Sequence, residues 1–323
     1  MTRTAQFWTL IMLGLLAFGC LLASLLAGSA HLSLGRALAA LGGGGDELAG
    51  TIVRTIRLPR SISAFAVGSL LGLAGVLLQA LFRNPLADPF VLGVSGGASV
   101  GALAGMLAGL TLGAVEWTAT GGALAIGALV YWMGSGGDSG RLLLSGVVLA
   151  SACGAVISVL LAIADNGQLR GMVFWLAGDL GWAQHPWFDL GAAGIGLVAA
   201  LLGGRALNVL AAGELRSAVL GLDARMARPV VFVVAAALTS MAVLAAGPVG
   251  FVGLVAPHLV RLALRTSDHR LVAPGAALCG GALLCLADIA SRTVAAPRQL
   301  PVGAITALIG APVFLLLLRR RLR

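Results

Sequence analysis

Ten stretches of this chain are apolar for long enough, and free enough of charge, to cross a bilayer as helices. They are 7–28, 61–82, 91–112, 117–133, 141–163, 187–207, 229–248, 251–264, 272–290 and 301–318. A helix needs about 20 apolar residues to cross the hydrocarbon core, fewer where protein shelters it; the eighth stretch is the shortest. A soluble core could not absorb so much apolar chain. Only 10% of the residues are charged, against roughly 25% in soluble proteins. The expectation is an all-α polytopic membrane protein, a single domain over residues 1–323 with about ten transmembrane helices. The first run follows Arg3 and ends in small residues at Ala27 to Ala30, as a signal peptide would. It is longer than the roughly 7–15 apolar residues of a signal sequence, so it reads as a first span.

An even number of spans puts both termini on one side. All 21 basic residues are arginines. With both ends cytoplasmic, Arg36, Arg54, Arg57, Arg60, Arg170, Arg292 and Arg298 lie outside and the other fourteen of the 21 lie inside. Cytoplasmic loops carry the excess of positive charge, so the orientation is N-in, C-in. The stretch VRTIRLPR (53–60) then sits outside, against the trend, which marks it as a candidate functional cluster beside the alternative of arginines snorkelling at the interface.

Glycines at 93, 97, 101, 105, 109 and 113 recur every four residues along the third span, and Gly146, Ala150 and Gly154 repeat the spacing in the fifth. Small residues at this spacing let helix backbones approach closely in lipid. A weaker echo pairs Arg83, ten residues before Gly93, with Arg265, ten before Gly275, as a duplicated half would.

Several chemistries are excluded or weakened. The basic residues are dispersed between apolar runs and build no nucleic-acid face. Without lysine the chain cannot supply a Walker A loop, so it does not hydrolyse ATP itself. Cys20, Cys153, Cys279 and Cys285 lie in apolar runs with no metal-type spacing; neither metal nor cofactor is implied. GVSGG (93–97) matches G-x-S-x-G and the shorter G-x-S-G of intramembrane serine proteases, a distant alternative, but a nucleophilic serine needs a positioned base, and His258 is a poor candidate. His185 lies in an outside loop whose tryptophans suit interfacial anchoring, with haem ligation as the lesser reading. Asp288 is the acid most embedded in apolar sequence, spaced to pair with Arg292 one turn on.

RLPR (57–60), GLAGVLLQALFRNPLADPFVLGVSGGA (72–98), GELRSAVLGLD (213–223), GPVGFVGLVAPHLVRL (247–262) and LPVGAITALIGAPVFLLLL (300–318) together resemble FecCD-type permeases. These are the inner-membrane subunits of type II ABC importers for ferric siderophores, haem and cobalamin. The resemblance implies a ten-helix permease that pairs with a second copy or a close relative, with two ATPase subunits inside and a periplasmic binding protein outside. It implies that Arg57, Arg60 and Arg292 pair with acidic groups of the binding protein. It implies that an inside loop at about 208–228 holds a short helix, Glu214, Leu215, Arg216, Ser217 to Leu220 bounded by Gly213 and Gly221, seated in the ATPase. The NPLADP turn lies on the same side. By the same resemblance the fifth and tenth helices line the path, with Gly146, Ser151, Gly154 and Ser158 leaving room for a bulky ligand. The expected cargo is a ferric siderophore, with cobalamin or haem as alternatives. Gln299 stands where many relatives carry an acid, which alters charge near the dock. A secondary transporter would need embedded coupling acids, and only Asp288 comes close.

Overall fold

The computed structural model describes residues 2–28, 33–42, 44, 47–134 and 139–321. Ten apolar helices account for the ten stretches in order. They are α1 (Arg3–Leu26), α2 (Leu58–Phe82), α3 (Val94–Leu107), α4 (Leu112–Gly134), α5 (Ser139–Ile163), α6 (Pro186–Leu202), α7 (Ala224–Ala246), α8 (Val252–Leu264), α9 (His269–Thr293) and α10 (Val302–Arg321). The helices α3 and α8 are the shortest, and α6 continues through a 62° bend into Gly204–Ala211. No strand occurs among the described residues.

Local chemistry sets the ends. Pro59 occupies the first turn of α2, where its missing N–H leaves no bond unmade. Asp223 and Asp268 cap α7 and α9 by accepting the N–H groups of Arg225 (2.9 Å) and Arg270 (3.0 Å). Arg83 and Arg265, the two arginines of the internal echo, end α2 and α8 in the same left-handed conformation, with φ of 50° and 48°.

The helix α2 is the axis of the bundle, buried along nearly its whole length against α9, α7, α6 and α8. Its sequence permits this because it is apolar all round and small on the contact side. A Cβ at Gly68 would stand 2.2 Å from the Gly280 carbonyl oxygen, and one at Gly75 would stand 1.9 Å from that of Gly253. The backbones themselves are in contact, which is how helices associate without a hydrophobic drive from water. The expected stripe on α3 works the same way at Gly97 and Gly101 against α4, whereas Gly109 and Gly113 meet nothing within 4 Å.

Segments outside the ten runs also fold. Leu34–Leu41 and Glu47–Thr51 are short helices, and a π-helical turn, Ile52–Arg57, leads into α2. On the same outer side the helix Asn166–Leu176 lies between α5 and α6. Its C-terminal end packs on the α7–α8 turn, where a Cβ at Gly247 would lie 2.3 Å from the Trp175 carbonyl oxygen.

Candidate functional site

The π turn delivers VRTIRLPR to the outer end of the bundle and divides its arginines. Arg54 is exposed, Arg60 is half-buried, and Arg57 is only 4% exposed. Arg57 Nη1 donates to the carbonyl oxygens of Leu25 (3.1 Å) and Leu26 (2.8 Å), at the last turn of α1. Arg292, 8% exposed, reaches the same turn from α9. It donates to Ala27 O (3.0 Å), Ser24 O (3.1 Å) and Ser24 Oγ (3.0 Å). The final carbonyls of a helix have no intrahelical partner and carry the negative end of its dipole. Two guanidinium groups satisfy both needs here.

Asp288 completes the cluster. It is fully buried, with Oδ1 accepting from Arg60 Nε at 2.8 Å and Oδ2 lying 2.9 Å from Arg292 Nε. The expected i, i+4 pair is therefore present, with Arg60 as a second partner. Arg60 also donates to Gln299 Oε1 at 3.1 Å and stands 3.9 Å from Asp179. Three arginines against Asp288 and Asp179 leave the cluster with one net positive charge, and the neutral Gln299 does not reduce it. The three arginines expected to meet a partner are thus brought together, with Arg57 and Arg292 turned inward onto α1. Arg36, Arg54 and Arg298 are exposed on the same side.

At the inner end, Glu214–Val219 is a helix, one residue shorter than the expected Glu214 to Leu220, with Gly213 (φ 103°) just before it and Gly221 (φ 74°) two residues past its end. The side chains of Glu214 and Leu215 lie outside the described residues. Ser217 is buried and donates to Gly213 O (2.8 Å) and Val209 O (3.0 Å), fixing the short helix to the one before it. Arg216 is exposed, and Val219 and Leu220 present 87% and 64% of their surface. Exposed aliphatic side chains beside a polar helix suit a partner surface. Behind it, Asn208 joins this region to α9. Its amide donates to Asp268 (2.7 Å), and its oxygen accepts from the His269 backbone (2.9 Å). Partial burial would raise the Asp268 carboxyl; the Asn208 amide, the Arg270 N–H and the charges of Arg270 and His269 outweigh it and hold the group below the usual range. Gln79 of α2 accepts from Arg261 of α8 at the same level.

On α5, Ser151, Gly154 and Ser158 share an exposed face. Both hydroxyls bond back to their own helix, to Val147 O and Gly154 O at 3.0 Å, so the face is smooth and weakly polar. Gly146 is not part of it; it is buried, and its carbonyl lies against the Gly93 turn. Ser95 donates to Phe90 O, an ordinary structural bond. Asp288 is fully engaged as a counter-ion, which removes the secondary-transport motive. His185 is exposed, 3.8 Å from Glu116. No three metal-type ligands converge among the described residues.

Two acids went unremarked in the sequence. Asp189, 5% exposed, sits in the first turn of α6 and accepts from Ser63 at 3.3 Å. Glu116 lies in α4, and both line one cavity with His185. The only signal was an acid in the outer turn of each span.

The family model described as the FecCD transport family matches residues 15–320. The hemin transport system permease protein HmuU of Yersinia pestis is 40% identical over 278 residues, covering 82% of this chain and 83% of that protein. The vitamin B12 import system permease protein BtuC of Salmonella typhi is 38% identical over 323 residues, covering 97% and 95%. A solved ABC transporter of the metal-chelate type, in an inward-facing conformation, superposes with a TM-score of 0.86 at 29% identity, covering 97% of this chain and 99% of that one.

Proposed function

This chain belongs to the FecCD transport family, as a transporter permease and not an enzyme, and on that premise we propose that it carries a tetrapyrrole-type metal chelate, haem or cobalamin, into the cytoplasm. The observation that carries the substrate reading is the near full-length similarity to permeases named for hemin and vitamin B12. Those names fit haem and cobalamin, the alternatives to the ferric siderophore expected from the motifs.

The path in this reading forms between two copies of the chain, each contributing α5 and α10. Ser151, Gly154 and Ser158 supply a face with few hydrogen-bonding groups to offer, which lets a bulky chelate slide without being trapped. Selectivity then rests with the binding protein. Two ATPase subunits dock inside, each receiving the helix Glu214–Val219 and its neighbour Leu220. The movement of that helix reaches α9 through Asn208, Asp268 and His269.

Outside, the positive rim around Arg60, with Arg54 and Arg298 exposed beside it, attracts acidic lobes of a binding protein. Arg57 and Arg292 serve this dock indirectly, by holding α1 against α2 and α9. Electrostatic complementarity of this kind speeds association and sets orientation more than it adds affinity.

The test is uptake into proteoliposomes holding the permease, its ATPase and its binding protein. ATP-dependent accumulation of cobalamin or haemin, but not of a ferric siderophore, is expected. Accumulation of the siderophore alone would overturn the substrate reading, and accumulation without ATP would overturn the mechanism.

A further inference from the structure

One large cavity lies off the proposed path. It occupies about 710 Å3 between α4, α6 and α7, and none of its lining residues lies on α5 or α10. It is a groove that opens sideways from the bundle. The apolar groups along its edge are exposed: Trp117 by 78%, Leu124 by 66%, Phe188 by 64% and Val233 by 59%. In a membrane such side chains face acyl chains.

The groove has a polar end and an apolar end. By the orientation derived above, Glu116 and Asp189 lie at the outer ends of α4 and α6, while Tyr131 and Phe232 lie toward the inner ends of α4 and α7. Glu116 and Tyr131 both line it; at about 1.5 Å per residue along α4 they are roughly 22 Å apart, most of a core about 30 Å thick. Its charge is the reverse of the chain's. The protein has a net charge of +9 and 21 arginines, yet the lining holds two carboxylates and no arginine, with His185, 3.8 Å from Glu116, as its one basic side chain. One of the carboxylates, on Asp189, is 5% exposed. A carboxylate kept that far from water calls for a cation or donor beside it; Ser63 supplies one hydroxyl, and the exposed His185 is the one lining side chain able to carry positive charge.

We propose that this groove binds one aminophospholipid of the outer leaflet, its ammonium group between Glu116 and Asp189 and one acyl chain along Leu124, Tyr131 and Phe232. The geometry selects the class. A headgroup ending in a primary ammonium brings positive charge and N–H donors to the carboxylates. A phosphatidylglycerol headgroup brings only negative charge and hydroxyls, and like charges oppose it. A choline headgroup brings charge without donors. The site is independent of the transported substrate, because it uses no residue of the proposed path.

The test is native mass spectrometry of the full chain in detergent, stripped of lipid and titrated with dioleoyl phosphatidylethanolamine or dioleoyl phosphatidylglycerol. The wild type is expected to bind the ethanolamine lipid about fivefold more tightly, the size of one charge pair. Glu116→Gln, at a half-exposed position, should erase the preference while leaving some binding of both lipids. Ala236→Phe should abolish retention of both by filling the groove; Ala237→Phe, at an exposed position, replaces it if that variant does not fold. Equal binding of the two lipids by the wild type overturns the proposal. So does a preference that survives Glu116→Gln, or retention that survives the filled groove.

Discussion

Arg60 and Asp288, 228 positions apart in the chain, meet with Nε and Oδ1 at 2.8 Å, and Asp288 is completely buried. The contact ties the start of α2 to the outer end of α9. Through Arg292 it extends to the last turn of α1. Three helices distant in sequence are therefore fastened by one carboxylate at the face where a binding protein is proposed to dock.

Replacing that carboxylate should be severely destabilising. Asp288→Asn keeps the shape but leaves Arg292 without its counter-ion and Arg60 with only Asp179, 3.9 Å away. Removing one partner of a buried ion pair costs about 3–5 kcal/mol. A lowered thermal midpoint of the detergent-solubilised protein is the expected result. Gln299→Ala, which removes only a peripheral acceptor of Arg60, should change the midpoint little. Equal effects would mean that Asp288 is not the fastening point.

Arg57→Met should loosen α1 without unfolding the bundle. It leaves the Leu25 and Leu26 carbonyls without their donor, at about 1–3 kcal/mol for buried groups left unsatisfied. Amide exchange should quicken in the C-terminal turn of α1, while the centre of α2 stays protected. Unchanged exchange there would show that water or lipid replaces the arginine.

Much of this was readable from the chain. The ten apolar runs correspond to ten helices, even the short eighth, because the bilayer's demand for about 20 apolar residues is a strong local signal. The glycines at 97 and 101 were legible as contacts for the same reason of spacing. The direction of a side chain was not legible. Arginine counts orient loops, but Arg57 and Arg292 turn inward because the end of α1 happens to stand beside them, a purely tertiary fact. Gly146 is buried although it shares a helix with Gly154. The helix Asn166–Leu176 is half polar and too short to span, so it carried no periodic signature. The bend after α6 has no proline to announce it. The acids of the lateral groove lie on two different spans, and only packing brings them together.

The central glycines should tolerate no side chain, and the path glycine should. Gly75→Ala would place a Cβ 1.9 Å from the Gly253 carbonyl oxygen, so α2 and α8 must separate; Gly154 has nothing within 4 Å. The expected outcome is loss of monodisperse protein for Gly75→Ala and normal yield for Gly154→Ala. Gly154→Trp should also fold but block uptake. A transporting Gly154→Trp protein would remove α5 from the path.

The inner helix should separate assembly from folding. Val219 and Leu220 are exposed by 87% and 64%, and substitutions at such positions usually change stability by no more than about 0.5 kcal/mol. The double variant Val219→Asp/Leu220→Asp should melt like the wild type but fail to co-purify with the ATPase. If it keeps the ATPase, the coupling surface lies elsewhere on the inner face.

The outer dock offers a test that depends on salt. Arg54→Glu/Arg298→Glu reverses two exposed charges and touches none of the bonds that hold α1, so the thermal midpoint should not move. The field that steers an acidic partner should weaken. Association with the binding protein is expected to slow by about tenfold at low ionic strength, with dissociation little changed, because rim charges act chiefly on the on-rate. At 1 M salt the Debye length falls to about 3 Å, and wild type and variant should associate at similar rates. A defect that persists undiminished in high salt would mean that these arginines make direct, buried contacts instead of supplying a field. No defect at any salt would move the dock away from this rim.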